Sequence, residues 1–383
     1  MRTKVSILLL ATITTIFHVS VYAEDVNIGF AAPLSGPQAM YGKDLQNGMT
    51  LAVEEFNARK PKIAGKEINI KLLVEDDQAD PRLGVQIAQK MVDKGVKGVF
   101  GHYNSSVAIP ASRVYQQAGI PQLSGSTAPD FTRQGHNTAY RINPSDSQQG
   151  ATLARFVVQK GVKEIVIIDD RTAYGQGIAD EFDKAAKAAG AKIVGREFTS
   201  NTAHDFKPLL TRIKKNNPQA VFFGGMSAQA AALVKQMREL KMTAILLGGE
   251  PIKVGNFRKL AGHAANGTMV VLGGRPLEKM PGGLAFKKRY EMRFGEPANG
   301  LSPHSYDATM VVFDAMQRAD SVEPAKYRPF LAKIERNGVT NNRFAYNDYG
   351  DLRDGTVTIY KMTGNGWQAL DTITPGIDMA SIQ

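Results

Sequence analysis

From residue 26 onward, short apolar runs alternate with longer stretches in which apolar residues recur every three or four positions. The short runs predict strands and the longer ones amphipathic helices. VNIGFA (26–31) opens the series. A helix over 42–58 follows, with Leu45, Met49, Leu51, Val53 and Phe56 as its apolar stripe. INIKLLVED (68–76) alternates in part, as a strand should, and a helix over 81–94 begins at Pro81, a residue suited to a first turn. After a short strand at YRIN (140–143), a helix over 147–160 leads into EIVIIDD (164–170). Helices over 175–189 and 204–216 flank the strand KIVGREF (192–198), and a helix over 254–262 precedes GTMVVLG (267–273). GRPLEKMPGG (274–283) has the Pro and Gly content of a linker. Helices are then expected over 283–294, 304–319 and 323–336. Strands follow over 344–352 and 356–370, the last folding back at Gly364-Asn365-Gly366. Strands spaced by helices in this way predict parallel sheets built from βαβ units.

Two blocks repeat one plan. Residues 96–127 and 219–250 each read as apolar strand, Gly-containing turn with a Ser, helix, second apolar strand and small-residue turn. The turns hold Ser105 and Ser227, then Thr127 and Glu250; upstream, Tyr41-Gly42 and Tyr174-Gly175 each open a helix soon after a strand. A duplicated α/β plan implies two lobes whose strand ends face each other, and open α/β sheets bind ligands beyond the carboxyl ends of their strands. The helical tail after residue 283 belongs to neither repeat and must pack on one lobe. Chain crossings near 144, 274 and 352 would return it to the first lobe and end it on the second. The expected division is therefore 24–144 plus 275–351 for the N-terminal lobe and 145–274 plus 352–383 for the C-terminal lobe.

The start of the chain stands apart. Arg2 and Lys4 precede a mostly apolar stretch, Val5 to Val21, and Val21-Tyr22-Ala23 is a small-residue cleavage site. Residues 1–23 have the form of a secretory signal peptide, which implies an exported mature protein. No later stretch approaches the ~20 apolar residues that span a bilayer. The chain has no Cys, which excludes thiol catalysis and Cys-ligated metal. Net charge is +11, but the basic residues are dispersed, as in Lys214-Lys215 and Lys287-Lys288-Arg289, with no aromatic platform among them. No nucleic-acid partner is expected.

The candidate chemistry is that of binding. Gly175-Gln176-Gly177 imitates a dinucleotide fingerprint, with Glu197 about twenty residues on. Its third glycine position is Asp180, and Asp170 ends the strand too early for a tight turn. The six His include no i, i+4 pair, and no nucleophile elbow or phosphate loop is present. No cofactor or metal is expected, and no enzyme activity. Ser105, Ser126 and Thr127 stand in turns beside helix starts, where hydroxyls either cap the helix or accompany its free N–H groups in holding an anion. Glu250, after Leu246-Leu247-Gly248-Gly249, is either a solvated loop acid or the partner of a cationic ligand group. Tyr41 and Tyr174 are either core residues or the aromatic walls of a small-molecule site.

PLSGPQAMYG (33–42), DDQADP (76–81), GHYNSS (101–106), STAPDF (126–131), DDRTAYGQG (169–177), FFGG (222–225) and LLGGEP (246–251) together resemble the periplasmic leucine/isoleucine/valine-binding protein family. These are the type I substrate-binding proteins of branched-chain amino acid ABC importers. The resemblance covers essentially the whole mature chain. It implies two Rossmann-like lobes, joined by three crossovers, that close on a free amino acid. It also implies a periplasmic location, monomeric behaviour and delivery to an inner-membrane ABC permease. By position, Ser105 and Thr127 would hold the ligand carboxylate, with Ser126 adding backbone contacts. The Gly125 carbonyl, Thr127 and Glu250 would hold the ammonium, and Tyr41, Tyr174, Met226 and the Leu301 region would line the side-chain pocket.

The sequence departs from the family pattern in two places. Ala79 and Asn104 stand where well-known members carry a disulfide, and Met226 stands where an aromatic is common. A flexible Met permits a broader side-chain range than branched-chain residues alone. The resulting expectation is capture of a neutral L-amino acid, leucine, isoleucine or valine foremost. The alternatives are the same fold holding a short amide, urea or aromatic acid, or serving as a ligand sensor.

Overall fold

The computed structural model describes residues 23–374, so the signal peptide read over 1–23 falls outside the described residues except for Ala23. The first sheet begins with β1 (Glu24–Ala32). Helix α1 (Ala39–Asn57), β2 (Lys62–Ile63) and β3 (Lys66–Asp76) follow. Then come α2 (Pro81–Asp93), β4 (Val99–Gly101), α3 (Ser105–Ala118) and β5 (Gln122–Ser124). The short α4 (Asp130–Arg133) and β6 (Ala139–Arg141) complete it. Strand order is β2-β3-β1-β4-β5-β6, parallel except for the β2–β3 hairpin.

Helix α5 (Asp146–Gln159) leads to the second sheet: β7 (Glu164–Asp169), α6 (Ala173–Ala188), β8 (Lys192–Phe198) and α7 (Lys207–Lys214). The chain continues through β9 (Ala220–Gly224), α8 (Ser227–Glu239) and β10 (Ile245–Gly248). Two five-residue helices, α9 (Glu250–Val254) and α10 (Phe257–Ala261), precede β11 (Met269–Gly273). The tail supplies α11 (Gly283–Phe294), α12 (Ser302–Arg318), α13 (Pro324–Ala332), the small pair β12 (Glu335–Arg336) and β13 (Phe344–Ala345), and the hairpin β14 (Val357–Thr363) with β15 (Gly366–Ile373). The second sheet runs β15-β14-β11-β10-β9-β7-β8, with the hairpin antiparallel at one edge.

Local chemistry sets these boundaries. Asp80 accepts from the Arg82 and Leu83 N–H groups, so α2 starts at Pro81 as expected. Ser145 and Gln148 form a capping box on α5, Thr172 accepts from the Gly175 N–H at the head of α6, and Gly119 ends α3 in a left-handed conformation. The central strands β7, β9, β10 and β11 are almost wholly buried, as parallel strands covered on both faces must be. Both repeated blocks form strand–helix–strand units, β4-α3-β5 and β9-α8-β10.

The tail packs on the first lobe. Phe313 of α12 stacks on Phe56 of α1 at 4.4 Å between ring centroids, and Ser305 donates to the Leu45 carbonyl at 2.8 Å. The chain thus passes between the lobes three times: after β6, after β11 and before β14.

Three expectations give way. The helix read over 254–262 is two helices, α9 and α10, because Gly255 between them is extended and lies so close to Tyr41 and Ser227 that a side chain could not fit. The helix read over 323–336 stops at Ala332, and Glu335–Arg336 pairs with Phe344–Ala345 instead. The strand read over 344–352 survives only as β13 and one bridge between Tyr346 and Leu352. There the Asn347 side chain accepts from the Tyr349 and Asp351 N–H groups and turns the chain, with Gly350 at positive φ. The turn at Gly364-Asn365-Gly366 closes the β14–β15 hairpin as expected.

Candidate functional site

The carboxyl ends of the two sheets point at one another, and the turns that leave them line a small cavity of about 10 Å³. From the first lobe come Tyr103, Asn104 and Ser105, between β4 and α3, and Gly125 and Thr127, after β5. From the second come Tyr174 at the head of α6, Met226 before α8, and Glu250 and Pro251 at the start of α9. The two repeats therefore contribute equivalent turns to one space.

The first-lobe wall is rich in hydrogen-bond donors. Asn104 occupies the cap position of α3 but makes no side-chain bond to the helix N–H groups; its amide donates to Gln38 instead, at 2.7 Å. The head of this fourteen-residue helix thus keeps N–H groups and the positive end of its dipole turned toward the cavity. Ser105, the first helical residue, ties the two turns together: its hydroxyl accepts from Ser126 Oγ at 3.0 Å and from the Ala128 N–H at 3.4 Å. The Ser126 carbonyl is gripped by the buried Arg141 guanidinium, which also donates to Asp351 and Thr132, both at 2.9 Å.

The second-lobe wall is acidic. Glu250 is buried, and its carboxyl oxygens have only long contacts: Tyr103 OH at 3.5 Å and Asn143 Nδ2 at 3.5 Å. Burial pushes its carboxyl up to about 8, and the nearby Asp146 carboxyl pushes the same way. Asp146, first residue of α5, is also buried, outside the cavity lining, and neither of its carboxyl oxygens has a hydrogen-bond partner within 3.5 Å, the Thr127 hydroxyl lying beyond that distance. Burial raises it to about 7, opposed by the Thr127 hydroxyl and Arg141. The Tyr174 hydroxyl beside them is unpartnered too, and burial first, then Asp146, lifts it well above the usual phenol range. Two desolvated acids without strong partners make a site poised for a cation.

Of the nine residues singled out from sequence, Ser105, Gly125, Thr127, Tyr174, Met226 and Glu250 line the cavity. Tyr41, Ser126 and Leu301 do not. Tyr41 stacks on Tyr103 at 5.2 Å and reaches across to the other lobe, donating to the Pro251 carbonyl at 2.9 Å with Ser227 Oγ 3.1 Å away. Ser126 stands one step behind the wall, hydrogen-bonded to Ser105. Leu301 is buried at the head of α12, with its N–H donating to Asp44 at 2.8 Å. Sequence reasoning missed Tyr103, Asn104, Pro251 and Asp146. Asp146 did carry a signal, since it lies inside the S-x-x-Q capping box of Ser145 and Gln148.

A family model described as periplasmic binding protein matches residues 25–363. The Leu/Ile/Val-binding protein homolog 1 of Brucella suis biovar 1 is 32% identical over 340 residues, 88% of this chain and 90% of that protein. Among solved structures, a leucine-binding protein of Thermotoga maritima superposes with a TM-score of 0.84 at 24% identity, covering 91% of this chain and 99% of that one. A solute-binding protein of R. palustris in complex with benzoate superposes at 0.80 and 19% identity, covering 92% and 97%. Such scores at such coverage establish the two-lobed type I fold; among the described residues no helix is long and apolar enough to cross a membrane. On the match along nearly its whole length, the chain belongs to the periplasmic binding protein family, the substrate-binding proteins of ABC transporters, and is a binding protein and not an enzyme.

Proposed function

We propose that the chain captures a free neutral L-α-amino acid, leucine, isoleucine or valine foremost, by closure of its two lobes, and passes it to an inner-membrane ABC permease. The observation that carries this reading is the opposition of unlike walls. The open head of α3 with Ser105 and Thr127 faces the desolvated Glu250, whose carboxyl the buried Asp146 also influences from outside the cavity lining. A zwitterion matches both at once. Its carboxylate takes the N–H groups and hydroxyls of Ser105 and Thr127. Its ammonium takes Glu250, the Gly125 carbonyl and Thr127. Tyr103, Tyr174 and Met226 surround the side chain. Residues 1–23 direct export to the periplasm, and the protein works there as a monomer. The relatives named for leucine, isoleucine and valine support the ligand class.

Calorimetry with leucine tests the assignment. Glu250→Ala strands a buried ammonium and costs on the order of 2–5 kcal/mol, roughly thirtyfold or more in Kd. Leucine without its amine, 4-methylpentanoate, binds the parent far more weakly than leucine does. Parent-like affinity in Glu250→Ala, or equal binding of the two ligands, sinks the reading. The benzoate-bound neighbour favours one second reading, an aromatic acid stacked among the tyrosines. It predicts benzoate tighter than leucine and indifference to Glu250.

A further inference from the structure

The mechanism above leaves a buried carboxylate unused. Asp44, on the buried face of α1, accepts from the Leu301 N–H at 2.8 Å and the Ser302 N–H at 3.1 Å through Oδ2. Its Oδ1 accepts from the Asn299 N–H and from Tyr290 OH, both at 3.2 Å. Four donors on one carboxylate fix the loop 299–302 on the first lobe. The Asn299 side chain leaves this loop and crosses to the second lobe, where its Nδ2 donates to the Val254 carbonyl at 2.6 Å. Val254 is the last residue of α9, the helix that begins with Glu250.

A second link joins the same two bodies. Tyr41, three residues before Asp44 on α1, donates to the Pro251 carbonyl at 2.9 Å. Helix α9 has only five residues, so its terminal carbonyls have few partners within the helix. Asn299 takes the last one, and near the start Tyr41 joins the Gly255 N–H on the Pro251 carbonyl. Gly255, directly after α9, lets Tyr41 in: a Cβ there would lie 2.5 Å from the Tyr41 hydroxyl. None of Asp44, Asn299 and Tyr41 lines the cavity.

We infer that Asp44, Asn299 and Tyr41 form a clasp outside the cavity that grips both ends of α9 and so positions Glu250 when the lobes close. They are positioning residues, acting on a ligand they do not touch. The clasp rests on the proposed amino-acid reading only for its effect on ligand; its effect on lobe closure does not. Opening the lobes must break both cross-lobe hydrogen bonds, so the clasp slows opening and leaves the encounter of ligand with the open first lobe unchanged.

The test uses the full mature chain and two variants, Asn299→Ala and Tyr41→Phe, each of which deletes one link. Stopped-flow mixing follows leucine through the fluorescence of Trp367, the only tryptophan. A net hydrogen bond contributes about 1 kcal/mol, so each variant releases leucine about fivefold faster, with its association rate within twofold of the parent. A purely structural role lowers the melting temperature and leaves the release rate alone, and that result overturns the clasp. Small-angle scattering of the ligand-free proteins is the second arm. Scattering that is more open in the variants than in the parent supports the clasp, and identical curves count against it. Should the parent fail to bind leucine, the amino-acid reading falls by itself, and the scattering arm still decides the clasp.

Discussion

The acid pair makes ligand affinity depend on pH in a definite direction. In the closed cavity burial lifts the Glu250 carboxyl from its ordinary 4.5 to about 8, Asp146 adding to the push, and Asp146 itself rises to about 7. A neutral carboxyl holds an ammonium poorly, so docking requires ionisation, and pairing with the ammonium restores a low value for Glu250. Below pH 8, then, binding expels a proton. For an empty protein that rests in the closed form described here, each unit below that value costs about 1.4 kcal/mol of binding, a decade in Kd. Between pH 8 and pH 6 the Kd for leucine weakens by up to about a hundredfold, and above pH 8 the curve flattens. Stability of the empty protein moves the other way. A carboxyl raised on folding contributes stability that is fully present below its unfolded value of 4.5 and is lost as pH climbs to about 8. The ligand-free melting temperature therefore falls across that window, and leucine restores it.

Titration calorimetry at pH 6.5, repeated in buffers of different ionisation enthalpy, counts the released protons directly. Roughly one per leucine is expected from this pair. A Kd that is flat from pH 6 to pH 8, with no buffer dependence of the enthalpy, refutes the reasoning: Glu250 would then be ionised before the ligand arrives.

Two further substitutions probe the walls of the site. Arg141→Met leaves the Ser126 carbonyl without its side-chain donor, though Arg133 still donates to Thr132 and pairs with Asp351, both at 2.8 Å; urea unfolding should show a loss of about 3 kcal/mol, and a loss below 1 kcal/mol would remove Arg141 as the support of the 125–128 turn. Tyr103→Leu frees the space beside Glu250 now held by the phenol, so the ratio of phenylalanine to leucine affinity rises about tenfold in competition calorimetry; an unchanged ratio places the ligand side chain elsewhere.

The α/β plan was legible because period and punctuation agree in this chain. Asp80-Pro81, Ser145 with Gln148, and the Gly364-Asn365 turn each dictate a boundary through a local hydrogen bond or a fixed φ, and each lies where the pattern put it. The duplicated blocks imply that turns remote in sequence share one cavity, which is why the sequence alone groups Ser105, Thr127 and Glu250. What was not legible depends on packing between elements. The break at Gly255 is set by Tyr41 from another lobe, and no periodicity in residues 254–262 records that contact. The family resemblance puts Leu301 at the pocket by position, whereas its near neighbour Asn299 makes the cross-lobe contact. Asp146 lies one residue before the helix expected over 147–160, and nothing in the apolar pattern singles it out. Its carboxyl becomes chemically significant only because the lobes bury it beside Tyr174 and Glu250.

The two positions without cysteine show how the first-lobe wall keeps its shape. Ala79 and Asn104 lie in the loops after β3 and β4, which a disulfide would join. Two residues earlier in each loop stand Asp77 and His102, both fully buried, with Oδ2 and Nδ1 2.7 Å apart. The other Asp77 oxygen accepts from the Ala79 N–H at 3.0 Å, and Tyr115 of α3 lies 3.4 Å from the far nitrogen of the imidazole. The His102 carbonyl accepts from Ser124 Oγ, which carries the connection to β5 and the turn that holds Thr127. A disulfide acts largely by restricting the unfolded chain, whereas this network acts only in the folded state, by satisfying groups that would otherwise be buried without partners. The tie therefore holds only while the surrounding core excludes water, and the same core holds the open head of α3 in place. The geometry of the first-lobe wall and the integrity of the lobe thus depend on one set of hydrogen bonds.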